Sequence, residues 1–224
     1  ALYDEKRETQ ITVTMKKVIL IIGMAMAMIL SGCNGRNTKT TEQAAAEEAA
    51  ATTLPTGQWK RITPQEIKDN PVELIQDGWF ALAAGHEGDM NAMTISWGGI
   101  GVLWGKPVVT VYVSTDRYTF EYMERNDYFT VTAFPEGDRE KLLYIGSHSG
   151  RDGDKIADAG LTVEYTELGN PTFTDGRLVI ECRKIYSQQF DASRFNDDTR
   201  TLYRRWIGVH HMYIGEIVHV CTKE

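Results

Sequence analysis

From Trp79 to Cys221 the chain repeatedly alternates apolar and polar residues with a period of two, the pattern of strands that bury one face. This constrains the fold more than any other feature. Met93, Ile95 and Trp97 alternate with Thr94 and Ser96, and Phe129, Val131 and Ala133 alternate with Thr130 and Thr132. Trp79 to Gly85, Val108 to Val113, Leu178 to Gln188 and Met212 to Cys221 are further apolar or β-branched runs of strand length. Helical signals are fewer: Tyr118 to Arg125, Arg139 to Ile145 and Lys155 to Ala159. A short helix start also reads at Thr63-Pro64-Gln65-Glu66, with Thr63 as N-cap and Glu66 three residues on. Strands in close succession, with helices inserted at intervals, predict a mainly β chain. They favour a closed antiparallel barrel over a doubly wound sheet.

The first 56 residues follow other rules. Met15-Lys16-Lys17 precedes an uncharged apolar run from Val18 to Leu30, and Leu30-Ser31-Gly32-Cys33 follows. A basic start, a short apolar run and small residues before a cut predict a secretory signal. The run is too short to span a bilayer of about 30 Å comfortably as a helix. The four residues ending at Cys33 resemble the bacterial lipobox, in which the cysteine sulfur is acylated before cleavage. A plain signal peptide or an N-terminal membrane helix is the competing reading. Residues 1–32 are therefore expected to be upstream sequence and signal. Residues 33–56, rich in Thr, Ala and Glu with Leu54 the one bulky apolar side chain, are expected to be a lipidated, disordered tether. The domain is expected over 57–224, held at the cell envelope on the periplasmic or surface side of a bacterial membrane by the lipid alone.

The 224 residues carry 24 Lys+Arg against 31 Asp+Glu, a net charge of −7, which argues against a nucleic-acid partner. Three cysteines are too few for a disulfide scaffold. Cys182 and Cys221 each fall in an expected strand, where pairing after export and buried free thiols are both open.

Four stretches carry candidate chemistry. Asn91-Ala92-Met93-Thr94-Ile95-Ser96-Trp97 puts hydroxyls on one strand face and large apolar groups on the other; this suits a flat heteroaromatic ligand, or simply a half-buried strand. Ser114-Thr115-Asp116-Arg117-Tyr118-Thr119 runs from a strand end into a helix start. Free amides, short hydroxyls and a guanidinium there make a phosphate seat, unless Asp116 merely caps the helix and Arg117 is solvated. His148 to Lys155 is a glycine-containing, charged loop whose Ser149, Arg151 and Lys155 can close over an anion or form surface ion pairs. His210-His211 enters the last strand, where neighbours point to opposite faces, so the pair does not chelate one metal and no metal is expected. Gly98-Gly99-Ile100-Gly101 lacks the strand-turn-helix context of a dinucleotide fingerprint, and Gly146 to Gly150 has His148 where a nucleophile elbow needs serine.

In order and combination these stretches resemble the flavin reductase-like family, the FMN-binding split barrels that include flavoredoxins and ferric reductases. The motifs are Asn91 to Gly99, Asp116-Arg117-Tyr118-Thr119, Phe129-Thr130-Val131, His148-Ser149-Gly150-Arg151-Asp152, Asp154-Lys155, and His210 with Met212 to Ile217. The resemblance implies a six-stranded antiparallel Greek-key split barrel that forms a homodimer, with FMN near the subunit interface. It implies that Asn91, Met93, Thr94, Ser96 and Trp97 lie along the isoalloxazine and ribityl chain. Ser114, Arg117 and Thr119 would hold the phosphate, Ser149, Arg151 and Lys155 would close over it, and His210 would stand near the reactive flavin face. The implied function is an FMN-dependent oxidoreductase or electron-transfer lipoprotein passing hydride or electrons to a small acceptor. An NAD(P)H-dependent flavin or ferric-chelate reductase is one alternative; a non-catalytic lipoprotein that binds another flat ligand, such as haem, is the other.

Overall fold

In the computed structural model, which describes residues 59–199, 201 and 210–223, the six expected strands all form and all join one sheet. In chain order the strands are β1 (Lys60–Ile62), β2 (Phe80–His86), β3 (Asp89–Ile95), β4 (Gly98–Leu103), β5 (Lys106–Ser114), β6 (Tyr128–Ala133), β7 (Val163–Tyr165), β8 (Pro171–Phe173), β9 (Leu178–Gln189) and β10 (His210–Thr222). The helices that flank the site are α1 (Tyr118–Arg125), α2 (Arg139–Ser147) and α3 (Lys155–Asp158), and shorter helical turns include Pro71–Glu73 and Leu74–Gly78 ahead of β2. Thr63 and Glu66 do meet, with Glu66 Oε2 accepting from the Thr63 amide at 2.7 Å, but the helix they start is a single turn, Pro64–Glu66. The expected signal segment, lipidation at Cys33 and tether lie outside the described residues. Among the described residues no helix is long and apolar enough to cross a membrane.

The main sheet has eight strands rather than six, ordered β3-β2-β6-β9-β10-β5-β4 with β1 added on β10, and β7 pairs with β8 separately. All pairings are antiparallel. The ladder does not close, which makes the barrel a split one. Its ends, β3 and β4, are successive in the chain and linked by Ser96 and Trp97. That short link sends β4 onto β5 instead of back along β3.

The apolar run of β2 is buried on both faces, and size sorts the faces. Phe80, Leu82 and Ala84 enter the barrel core with Val109, Val111, Phe129, Val131, Ile180 and Tyr213. Ala81 and Ala83 turn outward to a second core with Leu142 and Ile145 of α2 and Phe173 of β8. The β7–β8 hairpin covers the outer face of β6 and β9, so the threonines of β6 are buried too. Thr130 donates to the Pro171 carbonyl at 2.5 Å, and Thr132 and Thr172 share a bond of 2.9 Å. Glu181, also buried, accepts from Thr166 and from Asn170 (2.7 Å) and pairs with His219 at 2.6 Å. A buried carboxylate is tolerated when it is so paired.

One glycine is dictated by packing. A Cβ on Gly215, where β10 shifts register, would lie 2.6 Å from the Cys182 Cβ and from the Phe129 ring. Cys182 lies opposite Ile217 and Cys221 opposite Val179, so the two thiols are separated along the strands and both are free.

Candidate functional site

The β5–β10 register sets Ser114 opposite His210, and the end of β3 with the Ser96–Trp97 link faces them. Between them lies a cleft of about 490 Å³. It brings together Met93, Thr94, Ser96, Trp97, Ser114, Arg117 and His210, seven of the candidate residues from stretches far apart in sequence. Trp97 and His210 flank it with ring centroids 5.5 Å apart and planes at 54°. Thr94 is half-buried, and its hydroxyl donates to the Leu142 carbonyl, tying β3 to α2.

One end of the cleft has the chemistry of an anion seat. Ser114 is 7% exposed, and its Oγ is buried with no hydrogen-bond partner among the described residues. Beside it, the turn closed by the Arg117 amide on the Ser114 carbonyl (3.1 Å) leads into α1. Asp116 does not cap that helix; no side chain does, so its first amides remain available. The Arg117 guanidinium donates to the Gly146 carbonyl at 3.2 Å and pairs with no carboxylate among the described residues. Burial pushes the His210 imidazole below the usual histidine range; Asp116 opposes the shift and Arg117 adds to it, so the ring is neutral at pH 7.

The other candidates stand elsewhere. Asn91 and Lys155 line a neighbouring cleft of about 460 Å³. Asn91 Nδ2 donates to the buried Thr119 hydroxyl at 2.8 Å, which locks β3 to α1 and leaves Thr119 facing Asn91. Gly150 packs so closely on Asn91 that a Cβ there would collide with its side-chain oxygen. Lys155 donates to the carbonyls of Ile145 (2.8 Å) and His148 (3.0 Å), capping the carbonyl end of α2. Arg151 reaches away from its loop to Glu121 (2.5 Å) and the Asp116 carbonyl (3.2 Å), and Ser149 accepts from the Arg151 amide at 3.2 Å. His211 turns to the opposite side from His210 and stacks on Tyr213 with centroids 4.9 Å apart, and no metal-binding cluster forms among the described residues.

Tyr112 and Asp116 also line the first cleft, and the sequence reading does not mark them as ligand contacts. Tyr112 sits within a run that reads as core strand. The signal that finds it is register: Thr110, Tyr112 and Ser114 share one face of β5.

Solved structures with the same fold include the flavoredoxin from Methanosarcina acetivorans (26% identity over 66% of this chain and 69% of that one, TM-score 0.53). The flavoredoxin of Desulfovibrio vulgaris is 23% identical over 65% of this chain and 69% of that one, with a TM-score of 0.52. An FMN-binding domain of a flavin reductase-like enzyme from Shewanella baltica is 17% identical over 74% and 77% of the two chains, with a TM-score of 0.54. No curated protein matches the chain. The family model described as the flavin reductase like domain matches residues 75–224, which takes in every strand from β2 to β10 and both walls of the cleft. The chain belongs to the flavin reductase like domain family.

Proposed function

We propose that the protein is an FMN-dependent oxidoreductase or electron-transfer protein whose flavin lies in the cleft of Met93 to Trp97, Ser114, Arg117 and His210. The observation that carries this reading is the Ser114 hydroxyl. Among the described residues it is buried, unpartnered and next to an unpaired guanidinium and an uncapped helix start, a set of donors that fits a phosphate. Family membership and the flavoredoxin likeness support the flavin as the ligand. Bound FMN supplies hydride or single-electron transfer at its ring system. The chain's own groups bind and orient it. Ser114, Arg117 and the first amides of α1 hold the phosphate, while Met93, Ser96 and Trp97 supply contact surface and polar edges to the rings. His210, neutral at pH 7, offers one N–H at the cleft mouth beside Trp97.

The same reading makes the protein a lipoprotein of the cell envelope, anchored through Cys33, with electrons supplied by a donor other than cytoplasmic NAD(P)H. The basic start, apolar run and Leu30-Ser31-Gly32-Cys33 support that location. It also makes the protein a homodimer. Val102 and Trp104, 73% and 75% exposed on the β4–β5 hairpin, support an apolar contact with a second copy.

The test is an FMN titration of the purified protein followed by reduction. A 1:1 flavin complex that dithionite reduces quickly and NADPH slowly is the expected result. Absence of binding refutes the flavin reading, and rapid bleaching by micromolar NADPH refutes the choice of donor. Cys33→Ser abolishes incorporation of labelled palmitate if the anchor is read correctly. Light scattering that reports a monomer refutes the dimer.

A further inference from the structure

We propose that Tyr112 selects the electron acceptor, and that with His210 it seats one carbonyl oxygen of a neutral para-quinone. This deepens the flavin reading and rests on it.

The sheet register stands the two residues side by side. Ser114 lies opposite His210 and Tyr112 opposite Met212, so all four share one face of β5 and β10. Tyr112 and His210 are diagonal neighbours on that face, about 7–8 Å apart, a gap that two side chains bridge by converging on one atom. Both are half-buried and both line the first cleft. Among the described residues neither the Tyr112 hydroxyl nor the His210 ring takes a hydrogen bond, which leaves both donors for a ligand. Phe190 steadies the pair: its amide donates to the His210 carbonyl at 3.0 Å, and its ring packs on Tyr112 with centroids 5.5 Å apart. Phe195 backs Phe190 edge to face at 5.8 Å. Donors held this way lose little freedom when they bind.

The donors and the charge of the cleft fix the acceptor class. A phenol and a neutral imidazole each give one hydrogen, and a carbonyl oxygen has two lone pairs to accept them. Trp97 and Ile95 add a flat ring and an apolar wall. Asp116 and Arg117 are the charged side chains of the lining, and they offset each other. With Arg117 taken by the flavin phosphate, the remaining field is negative and disfavours an anionic ferric chelate. Negative charge grows on a quinone oxygen as electrons arrive, where the two donors stabilise it. The quinone leaves as the hydroquinone: two electrons and one proton come from the reduced flavin as hydride, and the second proton comes from water.

The experiment uses the full chain loaded with FMN, whose binding is read first from the flavin absorbance. Duroquinone is the probe, because its four methyl groups block addition of thiols. Calorimetry on the oxidised, FMN-loaded protein reads binding with no electron transfer. Expected are binding of duroquinone and roughly three- to tenfold weaker binding to Tyr112→Phe, the worth of one neutral hydrogen bond, with FMN affinity held. The same variant slows anaerobic reoxidation of the reduced protein by duroquinone more than by ferric citrate. No heat with duroquinone, equal affinity in Tyr112→Phe, or equal slowing with both oxidants overturns the proposal. A parallel fall in FMN affinity also overturns it, by assigning the hydroxyl to the flavin. Absence of FMN binding overturns the flavin reading and this inference with it, whereas FMN binding without duroquinone binding overturns this inference alone.

Discussion

Ser114→Ala moves two measurements in opposite directions. In the free protein the hydroxyl is buried and unpartnered, and such a group costs about 1–3 kcal/mol of desolvation. Replacing it with a hydrogen removes that cost and leaves a void the size of one oxygen atom, which cancels part of the gain. The free variant is therefore expected to be about 1 kcal/mol more stable than the wild type. In the complex the hydroxyl donates to a charged phosphate, and losing such a bond costs about 1.5–3 kcal/mol, roughly ten- to a hundredfold in FMN affinity. At FMN one hundred times the wild-type Kd, ligand stabilisation is about 2.7 kcal/mol, and a tenfold weaker Kd cuts it to about 1.4 kcal/mol. Urea unfolding with and without FMN reads both quantities on one instrument: the baseline rises and the ligand increment halves. A variant less stable than wild type without FMN would show that Ser114 is bonded in the free protein. An unchanged increment would remove Ser114 from the phosphate seat.

Arg117→Ala is expected to weaken FMN by roughly ten- to a hundredfold in a fluorescence titration, since it removes the cation of the seat. Gly215→Ala is expected to destabilise by about 1–3 kcal/mol in urea, because the added methyl overlaps Cys182 and Phe129 in the barrel core. Lys155 titrates near 8 when folded against 10.5 for an ordinary solvated lysine, so between those pH values the unfolded chain holds more protons. Stability therefore rises with pH across that window, by up to about 3 kcal/mol, and comparison with Lys155→Met isolates this gain.

The strands and helices of this fold are readable where side chains themselves encode them. β3 and β6 alternate, and Tyr118 to Arg125 matches α1 residue for residue. β4 is hidden because Gly98, Gly99 and Gly101 carry no strand preference. It forms because Trp104 and Gly105, both with positive φ, fold it back onto β5. β7 and β8 are hidden for another reason: three residues each are too few to show a period. The cleft is legible where residues lie on strand ends that converge, as with Ser114 and His210. The resemblance implies that Asn91 and Lys155 meet the flavin, and the motifs do not show which protein groups the two bond. The Asn91–Thr119 bond and the burial of Lys155 against α2 place both on the neighbouring cleft. Tyr112 shows the reverse case, a cleft residue concealed in a run that otherwise reads as core.

The seam between β3 and β4 has a consequence for how the protein acquires a guest. A continuous cylinder must break backbone bonds, and pay that cost each time, before anything wide can slip between its staves. Here the ring of bonds is interrupted beside the cleft, and a covalent link of two residues stands in for the missing rung. A planar molecule can enter there after the polypeptide has finished folding, with every ladder intact. On the proposed flavin reading the empty and filled forms then share one scaffold, and uptake is expected to depend on diffusion and side-chain rearrangement at the mouth rather than on unfolding.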